Sequence, residues 1–166
     1  REHGRNTGWM SFAHPKGDLD TLANAIGLTP DKTLVSLFTS SDDEMIASEG
    51  WATVIDQFDW IVRSIRYFAA HPDHLLVIRV HPNTAGIVGA NRQFLDRIGA
   101  LIAAGLPSNV RVVLPQEPVN SYQLIALSRA CLVFSSTIGI ESAVRGRPVM
   151  MCGGGLFYGN DWALNL

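Results

Sequence analysis

The chain predicts an α/β fold: a doubly wound parallel sheet of about five strands with helices on both faces. Three observations carry this expectation. Apolar runs of strand length alternate with segments whose apolar residues recur every three or four positions. The strand runs are continuously apolar instead of alternating, as strands covered on both faces are. The 166 residues, 47% apolar and 17% charged, fit one domain with a sizeable core.

The elements follow in order. Residues 1–17 are rich in Gly, His and Asn and read as a loop or linker, with residues 18–166 as the domain. Asp20 to Ile26 reads as a short helix stopped by Gly27. Thr33 to Thr39 is a buried strand, closed by the polar loop Ser40-Ser41-Asp42-Asp43-Glu44. Trp51, Val54, Ile55, Phe58, Ile61, Val62, Ile65 and Phe68 share one face of a helix that ends at His71-Pro72. Leu75 to Val80 is the second strand and runs into His81-Pro82-Asn83. A helix carries Phe94, Leu95, Ile98, Leu101 and Ile102, and Gly105 stops it. Val110 to Leu114 is the third strand, closed by Pro115. Asn120 or Ser121 caps a helix holding Leu124, Ile125 and Leu127. Cys131 to Phe134 is the fourth strand, followed by Ser135-Ser136-Thr137 and a helix from about Ile138 to Val144, with Gly146 as its stop. Pro148 to Cys152 is the fifth strand and opens into Gly153-Gly154-Gly155.

Composition removes several function classes. Thirteen basic against fifteen acidic residues give a net charge of −2, which disfavours a nucleic-acid partner held by bulk positive charge. The two cysteines, Cys131 and Cys152, sit in apolar company and read as buried thiols of a cytosolic protein. No apolar run reaches membrane-spanning length, and the first residues lack the apolar core of a signal peptide. The missing initiator Met and the abrupt end at Leu166 suggest a piece of a longer chain. No Walker lysine, G-x-G-x-x-G or G-x-S-x-G elbow is present, and His3, His14, His71 and His74 show no metal-ligand spacing. Asp42-Asp43 after the first strand suggests the acidic pocket of a receiver domain, but the later Asp and Lys that such a domain needs are missing.

In sheets of this class, ligands bind at the carboxyl ends of the strands, near the point where strand order reverses. That selects the loops at residues 39–44, 81–83, 115–119 and 135–139. Ser135, Ser136, Thr137 and Gly139 offer hydroxyls, backbone N–H groups and close backbone approach to an anion such as a phosphate. The plainer alternative is that one hydroxyl caps the following helix. Arg79, His81 and Pro82 end the second strand, where His81 can donate to a phosphate or act on a leaving group. Arg79 could equally be a solvated edge charge and His81 a turn residue. Glu141, one turn into the helix after Thr137, could accept ribose hydroxyls or only complement the helix N-terminus. From Arg97 to Asn160 there are five arginines and only Glu117 and Glu141 as acids, a balance that suits a phosphate-bearing ligand or a solvated surface. The acidic loop at 40–44 reads first as a helix cap, and Gly153 to Gly159 as a turn or a loop over the ligand.

The run "LVIRVHPN", followed by "VFSSTIGIESAVRGRPVMMCGGGLFYG", resembles the capsule polysaccharide biosynthesis family, which includes transferases of the acidic sugar Kdo. "SLFTSSDDE" before the Trp- and Phe-rich helix fits the same resemblance, which spans roughly Thr33 to Gly159. The pairing of a His-Pro motif with a Ser-rich motif is also similar to bacterial sialyltransferases, which use CMP-sialic acid. The resemblance implies a Rossmann-like domain forming the C-terminal, donor-binding half of a glycosyltransferase-B architecture. It implies a nucleotide-sugar donor, most readily a CMP-sugar, with no cofactor and no metal. His81 and Pro82 match the motif that holds the donor, with His81 as leaving-group stabiliser, and Ser135, Ser136 and Thr137 match the motif that binds its phosphate or carboxylate. Glu141 sits where related folds hold the ribose. Arg79 stands two residues before His81, whereas capsule Kdo transferases often show a lysine before the His-Pro, which leaves UDP- and GDP-sugars open. A glycan or glycolipid acceptor and the catalytic base would belong to an absent N-terminal half, so the fragment alone would be inactive. The full-length protein would be cytoplasmic and could associate with the inner face of the membrane. A nucleotide-sugar 2-epimerase-like domain and a non-catalytic binding or assembly module are the alternatives.

Overall fold

The computed structural model describes residues 18–41, 56–86, 90–153, 161 and 163–165. The loop expected at 1–17, the acidic residues Asp42 to Glu44, the residues Trp51 to Ile55 expected to begin a helix, and the expected loop from Gly154 to Gly159 lie outside the described residues.

Helix α1 (Leu19–Ile26) begins at Asp18, whose carboxylate accepts from the Asp20 N–H at 3.3 Å. It ends at Gly27 in the left-handed region (φ 76°), and the Leu28 N–H reaches back to the Ala23 carbonyl at 2.8 Å. That turn needs a positive φ, which is why glycine stands there. Strand β1 (Thr33–Phe38) leads toward α2 (Gln57–Ala69). Asp56 is extended and its carboxylate accepts from the N–H groups of Phe58 and Asp59, so α2 starts at Gln57 and not at the Trp51 that apolar spacing had suggested. Strand β2 (His74–Arg79) and a 3-10 turn (Pro82–Gly86) lead to α3 (Ala90–Ala103) and β3 (Val110–Val113). Helix α4 (Ser121–Leu127) is capped by Asn120, whose Oδ1 accepts from Tyr122 at 2.8 Å and Gln123 at 3.3 Å. Strand β4 (Ala130–Val133), α5 (Ile138–Val144), β5 (Val149–Met151) and β6 (Leu164–Asn165) complete the chain order.

The sheet is entirely parallel, in the order β3-β2-β1-β4-β5-β6. It has one strand more than expected: β6 is two residues long and pairs Leu164 with Met150, too short for any apolar pattern to announce. Strand residues alternate between two cores. Leu76, Ile78 and Val80 face α2 and α3 through Trp60, Ile61, Ile65, Phe68 and Ile98. Leu75 and Val77 face α1 and α4 through Leu22, Ile26, Leu124 and Ile125. Burying the side chains of continuous apolar strands on both faces supplies the main favourable term, roughly 1.5–3 kcal/mol for each large aliphatic residue.

The chain leaves β1 toward β2 and β3 on one side, then returns to β4 on the other. The carboxyl ends of β1 and β4 therefore flank the reversal in strand order, where a crevice opens in folds of this topology.

Candidate functional site

The site is built around the end of β1, where two consecutive hydroxyls reach opposite neighbours. Thr39 Oγ1 accepts from the His81 N–H at 2.9 Å, at the end of β2. Ser40 Oγ donates to the Ser135 carbonyl and accepts from the Ser135 N–H at 3.1 Å, at the end of β4. Thr39 and Ser40 are both buried. The loop that carries Ser40 is held in turn by Gln57, in the first turn of α2. Its Oε1 accepts from the Ser40 N–H at 2.7 Å and its Nε2 donates to the Ser40 carbonyl at 3.2 Å. Ser41, next in line, is fully buried and its hydroxyl has no hydrogen-bond partner.

This arrangement brings two of the predicted loops to the same end of the sheet. His81 and Pro82 close β2, Ser135 to Thr137 close β4, and β1 lies between. Strands spaced about 4.8 Å apart put the two loops roughly 10 Å from each other, the reach of a phosphate with its neighbouring sugar. Both His81 and Ser135 are half-buried, while Thr137 is exposed. His81 Nδ1 accepts from the Asn83 N–H at 3.2 Å, which puts the proton of the neutral imidazole on Nε2. Thr137 is the residue before α5, yet its side chain makes no capping hydrogen bond there. The plain capping alternative for this hydroxyl is therefore not what the structure shows. Gly139 is buried within the first turn of α5.

The remaining predicted residues lie elsewhere. Arg79 is 2% exposed, and its guanidinium turns inward, donating from Nη1 to the Leu114 carbonyl at 2.5 Å. Burial pulls the arginine below its usual range, and the nearby Glu117 carboxylate opposes that. Arg79 thus ties the end of β2 to the exit of β3, and the crevice is not where it points. Glu117 also pairs with Arg111 at 2.9 Å and accepts the Leu114 N–H at 2.7 Å, so this loop is closed on itself. Glu141 lies near Tyr122; the tyrosine is pushed up to about 12, by burial first and then by that carboxylate. Glu141 Oε2 is closed off from solvent and has no partner. Arg145 stacks on the Tyr122 ring at 4.5 Å.

Thr39 and Ser40 fall in the loop at 39–44 that topology selects, without either being singled out, and Gln57 lies outside every selected loop. The only signal for the first two was their place at a strand's carboxyl end. For Gln57 there was none, because its role depends on a partner 17 positions away. Among the described residues no cluster of three or more His, Cys, Asp or Glu could hold a metal ion. No described helix is long and apolar enough to cross a membrane.

Comparison with known proteins agrees with this architecture. The family model described as capsule polysaccharide biosynthesis protein matches residues 19–161. No curated protein matches the chain. Among solved structures, KpsC beta Kdo 2,7 transferase of Thermosulfurimonas dismutans aligns with a TM-score of 0.53 at 16% identity, over 95% of this chain and 48% of that one. UDP-GlcNAc 2-epimerase of Methanocaldococcus jannaschii aligns with a TM-score of 0.54 at 12% identity, over 85% of this chain and 34% of that one. The Neisseria meningitidis UDP-GlcNAc 2-epimerase gives 0.51 at 20% identity, over 80% and 30%. The chain spans about half the length of the transferase and about a third of each epimerase. At these identities the likeness shows the shared Rossmann-like, glycosyltransferase-like fold. The match to the family model over 19–161 shows more: this chain is a member of the capsule polysaccharide biosynthesis family.

Proposed function

We propose that this chain is the donor-nucleotide-binding domain of a glycosyltransferase that builds capsule or other surface polysaccharide, with a CMP-sugar of the Kdo type as donor. One observation carries the reading above the others. The His81-Pro82 loop and the Ser135-Ser136-Thr137 loop stand on either side of the strand-order reversal, bound to one another through Thr39 and Ser40. Membership of the family, and the names of the transferase and epimerases that share the fold, support a nucleotide-sugar as the ligand.

The chemistry follows from the groups present. Transfer of a sugar from its nucleotide leaves negative charge on the departing phosphate. His81, with its proton on Nε2, donates to that phosphate as the charge develops, and the Ser135 to Thr137 hydroxyls and N–H groups share the rest. Donors already fixed by the β1 end need little reorganisation when the bond breaks. Arg79, buried on Leu114, contributes positive potential and rigidity to the β2 end and does not touch the ligand unless it moves. Glu141 meets a ribose hydroxyl only if its carboxylate, whose Oε2 is closed off from solvent, turns toward the crevice. The acceptor and its base would come from outside the described residues.

The test is transfer by the full-length enzyme. His81→Ala is expected to lower donor affinity or transfer rate by about 10²-fold, the scale of one removed transition-state donor. Unchanged values for both would remove His81 from the role. A 2-epimerase reading is favoured by the two epimerase structures of equal likeness. It would be chosen if an epimerised product formed with no acceptor present.

A further inference from the structure

We infer that Thr39, Ser40 and Gln57 are positioning residues for the donor site, acting through the backbones of His81 and Ser135 without touching ligand themselves. The inference rests on the reading above for the site's purpose, and on hydrogen-bond geometry for its content.

A loop at a strand end has backbone freedom that must be removed before its N–H groups can meet an anion together. Here the removal is done by side chains of a different strand. Ser40 Oγ both donates to and accepts from Ser135, so one hydroxyl fixes the position and the tilt of that peptide. Thr39 Oγ1 holds the His81 N–H on the other side through a single accepted bond. These two hydroxyls are consecutive in sequence, so the spacing of the two ligand loops is set by a single peptide unit. That unit is itself clamped, because Gln57 satisfies both the N–H and the carbonyl of Ser40 with one amide. Gln57 is 4% exposed and Ser40 is 1% exposed. Neither needs such hydrogen bonds for solubility, and both would be apolar if packing were their sole task. An amide that contacts both backbone groups of one residue is a directional device. A hydrophobic residue of the same volume would fill the space but would leave two buried backbone groups unmet.

The chain of contacts makes a definite prediction about distant groups. Removing the Gln57 amide should loosen Ser40, and through Ser40 the Ser135 N–H. A substitution that only weakens the core should not do this.

The experiment uses the ¹⁵N-labelled 166-residue chain and four variants: Ser40→Ala, Gln57→Met, Thr39→Val and the conservative Ser40→Thr. Ile98→Val, buried in the core that α2 and α3 share, serves as a stability control. The first readout needs no ligand: the shift and hydrogen-exchange rate of the Ser135 and His81 amides. Ser40→Ala and Gln57→Met are expected to speed exchange at Ser135 by about tenfold, the scale of one lost hydrogen bond, and Thr39→Val to do so at His81. Ser40→Thr should restore the Ser135 signature. The second readout is CMP affinity, expected to fall by about three- to tenfold in the same three variants. The inference is overturned if Ser135 exchange in Ser40→Ala and Gln57→Met stays at the wild-type rate, or changes no more than in Ile98→Val. It is also overturned if exchange rises while CMP affinity holds. If the wild-type chain binds no CMP, the donor reading fails, and the exchange arm alone decides whether the brace exists.

Discussion

Gly153 shows how one residue can fix a strand exit. Its N–H donates to the Phe134 carbonyl at 2.6 Å, and a Cβ added there would collide with the Phe134 carbonyl oxygen and lie 2.9 Å from the carbonyl carbon and 3.0 Å from the ring. Two of the obstacles are backbone, so relief must come from movement of the β4 end that leads to Ser135. Gly153→Ala is expected to cost about 1–3 kcal/mol by urea unfolding, and a change under about 0.5 kcal/mol would contradict the crowding described. Asn109 does comparable work far from the site. Its buried amide donates to the carbonyls of Phe68, His71 and His74, closing the turn between α2 and β2. Asn109→Ala removes the amide that joins these carbonyls, although Phe68 and His71 keep the N–H groups of His71 and His74, and the expected loss is about 1–2 kcal/mol in the same assay. Neither residue could be picked out beforehand. A glycine after a strand usually marks a turn, and an asparagine before a strand usually caps or turns locally.

At the scale of elements, the legible features were those with a local cause. Gly27 and Asn120 announce helix ends because caps and left-handed turns are short-range chemistry. Val110-Arg111-Val112-Val113 and Ala130-Cys131-Leu132-Val133 announce strands because burial on both faces leaves no polar alternation. The start of α2 was misplaced because apolar spacing continues across Asp56, while the cap at Asp56 decides the boundary. The strand β6 escaped because two residues carry no period. That the loops at 81–83 and 135–139 reach one end of the sheet follows from topology, but the direction of Arg79 does not, since a strand residue's face depends on register. Asn120→Ala tests the cap at α4: about 1 kcal/mol of stability should be lost, and no loss in a denaturant titration would mean that Oδ1 does not hold that helix end.

For the whole molecule, the sheet order and the two cores place everything else, and the buried thiols report on their integrity. Cys131 and Cys152 are both buried free thiols, and burial pushes each up from the usual value. Tyr122 is raised to about 12. The unfolded chain releases these protons at lower pH than the folded one, so in that window the folded state holds more protons. Stability is therefore fully present below about pH 9 and falls as pH rises toward about 12. Thermal melts should show Tm level from pH 7 to 8.5 and declining above 9, less steeply from 9 to 10 in a Cys131→Ala/Cys152→Ala variant. A Tm that rises above pH 9 would contradict the burial of these groups. The same burial predicts that both thiols resist disulfide reagents until the chain unfolds.

The central claim is that a nucleotide-sugar binds where the β2 and β4 ends meet across β1. The most direct measurement is an NMR titration of the ¹⁵N-labelled chain with CMP, UDP and GDP in parallel. Saturable shifts are expected at His81 and from Ser135 to Gly139, with CMP preferred. Saturation with UDP or GDP at the same residues would keep the site and change the donor. No shift at those residues with any of the three at millimolar concentration, or shifts confined to the β3 edge, would contradict the account.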